Sequence, residues 1–238
     1  MNIPLSIMAK LVYFNIMGQQ PDIILVVTGQ ETKAQIRKQD VSFIEVRVDL
    51  FKRLDMEHVV GVFKEYRSLN IPLLLTVRSD KKEGAQKPLT EQKKWVLLNT
   101  LMPLTDWVDI ELSSPLCRKT IDMAHQLKKK VVVSAHDFKA MPKDLEILYK
   151  KAKKVKADAV KFAFCAKSEE DILRLIDLTA GHRQDHIVTM CVGEWGPLSR
   201  LILPMFGSRW VYVFLNESTA PGQMNIQTYQ QVKKMLAE

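Results

Sequence analysis

The chain has few of the residues that build disulfide frameworks, metal sites and nucleotide-binding loops. Its three cysteines, Cys117, Cys165 and Cys191, are odd in number and far apart, which predicts reduced thiols instead of disulfides or a paired-cysteine metal site. Its nine glycines are scattered, and neither a Gly-x-Gly-x-x-Gly turn nor a Walker-type loop occurs. The sequence therefore argues against a secreted disulfide scaffold and a dinucleotide-binding domain.

Long apolar runs are also missing. The apolar opening at positions 3–17 is interrupted by Lys10 and Asn15, is too short to span a bilayer, and lacks the basic start and small-residue cleavage site of a secretory signal. No Ser-, Gly- or Pro-rich stretch marks a linker. We expect one soluble, cytoplasmic domain with no membrane partner.

Positive charge is in excess, with a net charge of +8. Lysines cluster at positions 128–130 and 150–156, but no aromatic side chains are interleaved with them as in nucleic-acid-binding segments. We interpret these lysines as solvated surface and expect no nucleic-acid partner. The excess charge favours anionic small molecules.

Short β-branched or apolar runs alternate with segments of helical period from position 23 onward, the pattern of repeated βα units around a parallel sheet. Thr90 and Ser168 precede acidic residues, as helix N-caps do. Eight such units in 238 residues favour an α/β fold of the closed (β/α)8 TIM barrel type over an open doubly wound sheet. The predicted strands are 23–28, 43–48, 72–77, 107–111, 131–134, 159–163, 187–191 and 210–214.

This count sets the expected domain boundaries. Residues 23–238 are predicted to form a single barrel domain, and residues 1–22 to form a short N-terminal segment outside the eight units. We interpret that segment as a candidate cap for the bottom of the barrel.

Polar residues at the carboxyl ends of barrel strands are candidates for an active site, because that end of the barrel carries it. The second strand carries Glu45, Arg47 and Asp49 at alternate positions, which predicts that all three point to one side. The third strand runs into Arg78, and Glu83 follows in the next loop. The alternative for Glu45 and Arg47 is a purely structural ion-pair network.

His136 is the candidate base. It directly follows the apolar fifth strand and stands beside Asp137, unlike the other four histidines. Histidine titrates close to neutral pH and so exchanges protons readily. The alternative is a packed, hydrogen-bonded loop histidine.

Lys161 is the candidate nucleophile, because it is the one lysine in the apolar sixth strand. Burial and nearby cations favour the neutral amine, which can attack a carbonyl and form a Schiff base. A buried salt bridge or a side chain that reaches the rim is the alternative.

The loops after the seventh and eighth strands contain Arg200, Gly222 and Gln223. An arginine binds a carboxylate with two parallel hydrogen bonds, and a glutamine side chain both donates and accepts. Each loop alone is also compatible with an ordinary turn or with a helix-end arginine.

Taken together, these segments resemble the type I 3-dehydroquinate dehydratases in order and approximate spacing, from about position 23 to position 223. The fold expected from the resemblance is the same (β/α)8 barrel. The matching segments are Glu45-Val46-Arg47-Val48-Asp49, Thr76-Val77-Arg78-Ser79 with Glu83-Gly84, Ser134-Ala135-His136-Asp137-Phe138, Val160-Lys161, positions 193–200, and Ala220-Pro221-Gly222-Gln223.

The resemblance implies a lyase that forms 3-dehydroshikimate in the shikimate pathway of aromatic amino acid biosynthesis. Lys161 would form an imine with the substrate ketone, His136 would act as general base and acid, and Glu83 would orient and tune His136. It also implies a homodimer and no metal or cofactor. The implied substrate-binding residues are Glu45, Arg47, Arg78, Arg200, Thr219 and Gln223.

Some positions depart from the family pattern. Thr219 stands where serine is common, Ala85 replaces a glycine after Glu83-Gly84, and Cys165 replaces a frequent methionine. The loop before Glu83 is one residue longer than usual. These departures concern pocket shape and the placement of Glu83 more than the reaction type.

Two other functions compete with this interpretation. Another Schiff-base barrel, such as a class I aldolase, would also explain Lys161, but a sugar-phosphate aldolase is expected to have Gly-rich anion loops after strands seven and eight. A catalytically silent barrel or a basic nucleic-acid-binding protein would leave Lys161 and His136 with structural roles.

Overall fold

Nine parallel strands form one curled sheet in the part of the chain that the computed structural model describes, residues 20–237. The sheet order is β7-β6-β5-β4-β3-β2-β1-β8-β9, so each strand from β1 to β7 lies beside its neighbours in sequence. The strands are β1 (Asp22–Val27), β2 (Phe43–Arg47), β3 (Leu73–Thr76), β4 (Trp107–Glu111), β5 (Lys130–Asp137), β6 (Ala159–Cys165), β7 (Ile187–Val192), β8 (Trp210–Phe214) and β9 (Met224–Asn225).

Eight α-helices cover the outside of this sheet within residues 20–237. Thr90 and Ser168 cap two of them, as predicted, by accepting hydrogen bonds from the backbone nitrogens of Lys93 and Asp171. None of the helices in this part of the chain has the length and apolar character that crossing a membrane requires. The helices are α1 (Lys33–Arg37), α2 (Met56–Arg67), α3 (Glu91–Leu101), α4 (Cys117–Gln126), α5 (Leu145–Lys154), α6 (Glu169–Gly181), α7 (Gly196–Ile202) and α8 (Ile226–Ala237).

The (β/α)8 prediction is confirmed, although some strand bounds differ. Strand β5 continues through His136 to Asp137, because its backbone pairing with β6 persists although its side chains become polar. His136 therefore lies within a strand and does not follow one. Strand β2 stops at Arg47 and a 3-10 turn begins at Val48, so Asp49 is not a strand residue. The first 19 residues of the predicted N-terminal segment lie outside the described part of the chain.

Alternate side chains of the strands pack in two separate layers, as strand geometry requires. One layer fills the space between the strands and the helices. The other fills the barrel interior, and at the amino ends of the strands it is aromatic, with Phe43, Trp107 and Trp210 in ring contact at centroid distances of 5.1–6.3 Å. Among residues 20–237, these aromatic residues fill the end of the interior at the amino ends of the strands, and a pocket opens at the carboxyl ends.

The gap between β7 and β8 is bridged by local contacts. The backbone nitrogen of Arg209 donates to the carbonyl of Ile187 at 2.9 Å, and the Ser208 hydroxyl contacts the backbone of Thr189. Side chains of β7 and β8, Val188, Met190, Trp210 and Tyr212, join the same interior layer as those of the other strands. The sheet thus encloses a single interior.

The loops after β7 and β8 meet at three glycines, Gly193, Gly196 and Gly222, whose backbones touch. Gly222 has a φ of +75°, and a Cβ atom there would lie 2.2 Å from the carbonyl oxygen of Gly193. A Cβ atom at Gly196 would lie 2.7 Å from the Cα of Gly222. Only glycine permits this close approach.

We expect Gly222→Ala to lower the free energy of unfolding by roughly 2 kcal/mol or more, because it combines a left-handed backbone with a clash against backbone atoms. Gly61→Ala is the matched control. Gly61 lies within helix α2 with no neighbour within 4 Å of the added Cβ, so that change should stabilise the protein by about 0.5–1 kcal/mol. Urea unfolding of both variants tests the packing, and equal effects would contradict it.

Candidate active site

The amine of Lys161 lies inside the barrel between two carboxylates. Strand β6 directs Lys161 inward, in register with Ser134 of β5, and leaves it 5% exposed. Its Nζ is 3.4 Å from Glu45 Oε1 and 3.3 Å from Asp109 Oδ2, and it lies 3.9 Å from the centre of the Tyr212 ring. The apolar sequence of the strand does not predict that two carboxylates and an aromatic ring surround this amine.

Asp109 joins three partners at the centre of the interior. It lies on β4, is fully buried, and accepts hydrogen bonds from Arg78 NH1 at 2.7 Å and Ser134 Oγ at 2.6 Å, in addition to its contact with Lys161. Burial alone would raise the pKa of Asp109, but the charges of Arg78 and Lys161 hold it well below its usual range. Asp109 therefore stays ionised.

His136 is held by Glu83. Its Nδ1 is 3.0 Å from Glu83 Oε2, and its backbone nitrogen donates to the same oxygen at 2.9 Å. The other oxygen of Glu83 accepts from Ser113 Oγ at 2.8 Å. Because an ionised carboxylate only accepts, Nδ1 carries the proton and the lone pair of a neutral ring lies on Nε2. Nε2 is 3.5 Å from Arg78 NH2.

These surroundings favour neutral His136 and ionised Glu83. Burial, followed by the guanidinium of Arg78, lowers the pKa of His136 against the raising effect of the Glu83 hydrogen bond. Burial alone would raise the pKa of Glu83, but hydrogen bonds from His136 and Ser113 lower it on balance. A neutral imidazole beside a fixed carboxylate is suited to accept a proton.

The 3-10 turn before Gly84 places the Glu83 carboxylate beside His136. Asp80 begins the turn by accepting from the backbone nitrogen of Lys82, and Gly84 ends it with a left-handed φ of +90°. Arg47 forms a bidentate pair with Asp49 at 3.0 and 2.7 Å and also donates to the Gly84 carbonyl at 3.3 Å. Arg47 thus links the end of β2 to this turn.

Arg200 is an unpaired cation. It is 3% exposed and donates to the backbone carbonyls of Cys191, Gly196 and Gly222 at 2.8–3.0 Å. No carboxylate among residues 20–237 forms an ion pair with it. Burial lowers the pKa of Arg200 to about 10, which still leaves it charged at neutral pH. An incoming carboxylate would complete its charge balance.

Thr219 and Gln223 belong to the loop after β8. Gln223 Oε1 accepts from the backbone nitrogen of Thr219 at 2.9 Å and from its hydroxyl at 3.0 Å. The amide nitrogen of Gln223 is left to donate elsewhere. The Thr219 hydroxyl contributes to this loop, at the position where the sequence departs from serine.

One pocket at the carboxyl ends of the strands brings all nine predicted site residues together. Asp109 borders the pocket through its contacts with Lys161 and Arg78. The sequence analysis missed Asp109 and Tyr212, although an acid within the apolar strand 107–111 was a usable signal. The pocket is lined by Val26, Glu45, Arg47, Arg78, Glu83, Gly84, His136, Phe138, Lys161, Ala163, Met190, Val192, Arg200, Tyr212, Thr219, Ala220 and Gln223.

A larger cleft, of about 570 Å³, lies at the opposite end of the barrel near His186 and Ser208. It contains none of the predicted site residues and borders Gln20, where the described part of the chain begins.

Comparison with known proteins identifies related sequences and structures. Residues 25–238 match the model of a family described as type I 3-dehydroquinase. A 3-dehydroquinate dehydratase from Geobacillus thermodenitrificans is 32% identical, with 92% of each chain covered. The crystal structure of a 3-dehydroquinate dehydratase from Geobacillus kaustophilus is 30% identical, with a TM-score of 0.82 and 92% of this chain and 91% of that chain covered. A type I enzyme from Clostridium difficile is 29% identical, with a TM-score of 0.80 and coverages of 91% and 92%.

The ring of His136 should titrate below the ordinary histidine value of about 6.5. Glu83→Gln should lower this pKa further, because the Glu83 carboxylate stabilises the imidazolium. Titration of the ring protons by NMR measures both values. Glu65→Gln, which removes an exposed carboxylate of α2, should have no effect. A rise in the His136 pKa in Glu83→Gln would contradict the geometry.

Proposed function

This chain belongs to the type I 3-dehydroquinase family, and on that premise we propose that it removes water from 3-dehydroquinate through a Schiff base on Lys161. Membership of the family makes the protein a hydro-lyase. The observation that carries the covalent mechanism is the amine of Lys161, which shares one pocket with His136 and Arg200.

The pocket matches the functional groups of the proposed substrate, a carboxylated polyol with a ketone. Arg200 is the group that would bind the carboxylate, because no carboxylate in residues 20–237 already pairs with it. Hydrogen-bonding side chains for the hydroxyls are Glu45, Arg47, Arg78, Thr219 and Gln223. Binding by side chains instead of glycine-rich backbone loops favours a carboxylate over a phosphate.

The first chemical step forms the imine. Lys161 must lose a proton before its nitrogen attacks the C3 ketone, and the carbonyl oxygen leaves as water when the carbon–nitrogen double bond forms. Glu45 and Asp109, both within 3.4 Å of the amine, stabilise the positive charge of the protonated imine. The iminium then draws electrons from the adjacent C2–H bond and acidifies it.

Elimination follows at His136. Nε2 of the neutral ring removes the C2 proton, and the C1 hydroxyl leaves as water with the proton that His136 returns. Glu83 holds Nδ1 at 3.0 Å and stabilises the imidazolium between these two transfers. Hydrolysis of the imine consumes the water released when it formed and frees 3-dehydroshikimate, so the net change is the loss of one water.

Lys161→Ala should abolish turnover and retain the fold, with some loss of stability because Glu45 and Asp109 lose a partner. The test is mass spectrometry of protein treated with 3-dehydroquinate and borohydride, followed by peptide mapping, with the ultraviolet absorbance of the enone product. Wild type and the exposed control Lys150→Ala should carry a reduced adduct on Lys161. The variant Lys161→Ala should carry none.

The same experiment separates the competing functions. Enone formation without an adduct would overturn the Schiff base and keep the dehydratase. If neither an adduct nor the enone forms, both the Schiff base and the dehydratase activity are contradicted. An aldolase or a nucleic-acid-binding barrel would then explain the sequence better. An adduct in His136→Ala with slow release of enone would support the division of roles between Lys161 and His136.

We also propose that the protein acts as a homodimer in the cytoplasm, as a step in the shikimate pathway towards aromatic amino acids. This rests on family resemblance alone. Light scattering during size-exclusion chromatography should give twice the chain mass of 27.3 kDa. A monomer mass at micromolar concentration would contradict the dimer and leave the chemistry unaffected.

A further inference from the structure

Lys94 is a fully buried lysine outside the pocket. It lies on helix α3, with 0% exposure, and its Nζ is 2.6 Å from Glu111 Oε2 and 3.2 Å from Ser79 Oγ. Removing an ammonium group from water costs several kcal/mol, so such a lysine is retained only with a close partner. The neighbouring Lys93 on the same helix is exposed.

Glu111 lies between Lys94 and an arginine of the pocket. Its second oxygen, Oε1, has no hydrogen-bond partner among the described residues and is 3.5 Å from Arg78 NH1. The same NH1 group donates to Asp109 at 2.7 Å. Arg78 therefore has one carboxylate on the pocket side and a second behind it, and the Lys94 ammonium neutralises the second.

We propose that Lys94 is a positioning residue for the active site, which holds Glu111 so that Arg78 stays hydrogen-bonded to Asp109 and close to His136. This inference rests on the proposed function, because its effect is read in that reaction. A continuous row of alternating charges connects Lys94 on α3 to the nucleophile Lys161. The row is Lys94, Glu111, Arg78, Asp109 and Lys161.

Lys94 also contacts Ser79, the residue after Arg78. The backbone nitrogen of Arg78 donates to Asp49 Oδ1 at 3.2 Å, a bond that anchors the backbone of Arg78 and does not involve Lys94.

Without the charge of Lys94, Glu111 would be a buried carboxylate whose nearest cation is Arg78. The guanidinium would move towards Glu111 and away from Asp109 and His136. His136 would lose a neighbouring cation and bind a proton more tightly. Asp109 would be left with Lys161 as its cationic partner.

The charged groups that face His136 come from four elements: Glu83 from the 3-10 turn, Arg78 from the end of β3, Asp109 from β4 and Lys161 from β6. Of these, Arg78 is the one that Glu111 contacts directly. A change at Lys94 is therefore expected to reach His136 through Arg78.

The test compares the pH dependence of kcat/KM in wild type, Lys94→Met, the double variant Lys94→Met/Glu111→Gln and the control Lys93→Met. In Lys94→Met the acidic limb should move up by about one pH unit, as for the loss of one neighbouring cation, and kcat should fall about tenfold. In the double variant Glu111 is neutral, so Arg78 has no reason to move and the limb should return to its wild-type position. Lys93→Met should match wild type.

An unchanged acidic limb in a folded Lys94→Met variant would overturn the positioning role and leave Lys94 with stability alone. If Lys94→Met does not fold, the double variant decides, because it buries no unpaired charge; a limb displaced in the double variant would also overturn the inference. The proposed function is tested separately by borohydride capture in wild type, which does not involve Lys94.

Discussion

The site depends on the requirement that charges inside the barrel neutralise one another. Asp109 is fully buried and contacts Arg78 and Lys161, and each of these ions would cost several kcal/mol if left alone away from water. The same ion pairs that offset the cost of burying these charges also fix the positions of the Lys161 amine and the Arg78 guanidinium. Stability and preorganisation are therefore properties of one set of ion pairs.

The charges are confined to one side of the barrel. The charged side chains of the interior come from β2, β4 and β6 and from Arg78 after β3, whereas β1, β7 and β8 contribute apolar or aromatic side chains such as Val26, Met190 and Tyr212. Arg200 approaches from the apolar side and, among the described residues, donates to backbone carbonyls and to the Met190 sulfur. A bound molecule would therefore contact charged side chains on one side and apolar or aromatic side chains on the other. Arg200 is the cation at the edge of the apolar side.

Sequence reasoning recovered the parts of the molecule that have a local signal. The strands were readable because buried parallel strands are continuous apolar runs, and Lys161 was readable as the polar exception within such a run. Asp109 carried the same signal and was overlooked. Lys94 carried none, since Glu91-Gln92-Lys93-Lys94 looks like an exposed first helical turn and only tertiary packing buries its fourth residue. The end of β5 was misjudged because backbone pairing with β6 outlasts the apolar side chains.

The contact between Gly196 and Gly222 limits which substitutions these two loops can accept during evolution. The two loops touch with no room for a side chain on either, so a larger residue at one position would be tolerated only if the other loop had already changed its path. Arg200 hydrogen-bonds to the carbonyls of both glycines, which adds a third participant. The loops after β7 and β8 are separate in the chain, yet a change in the path of one loop requires a matching change in the other.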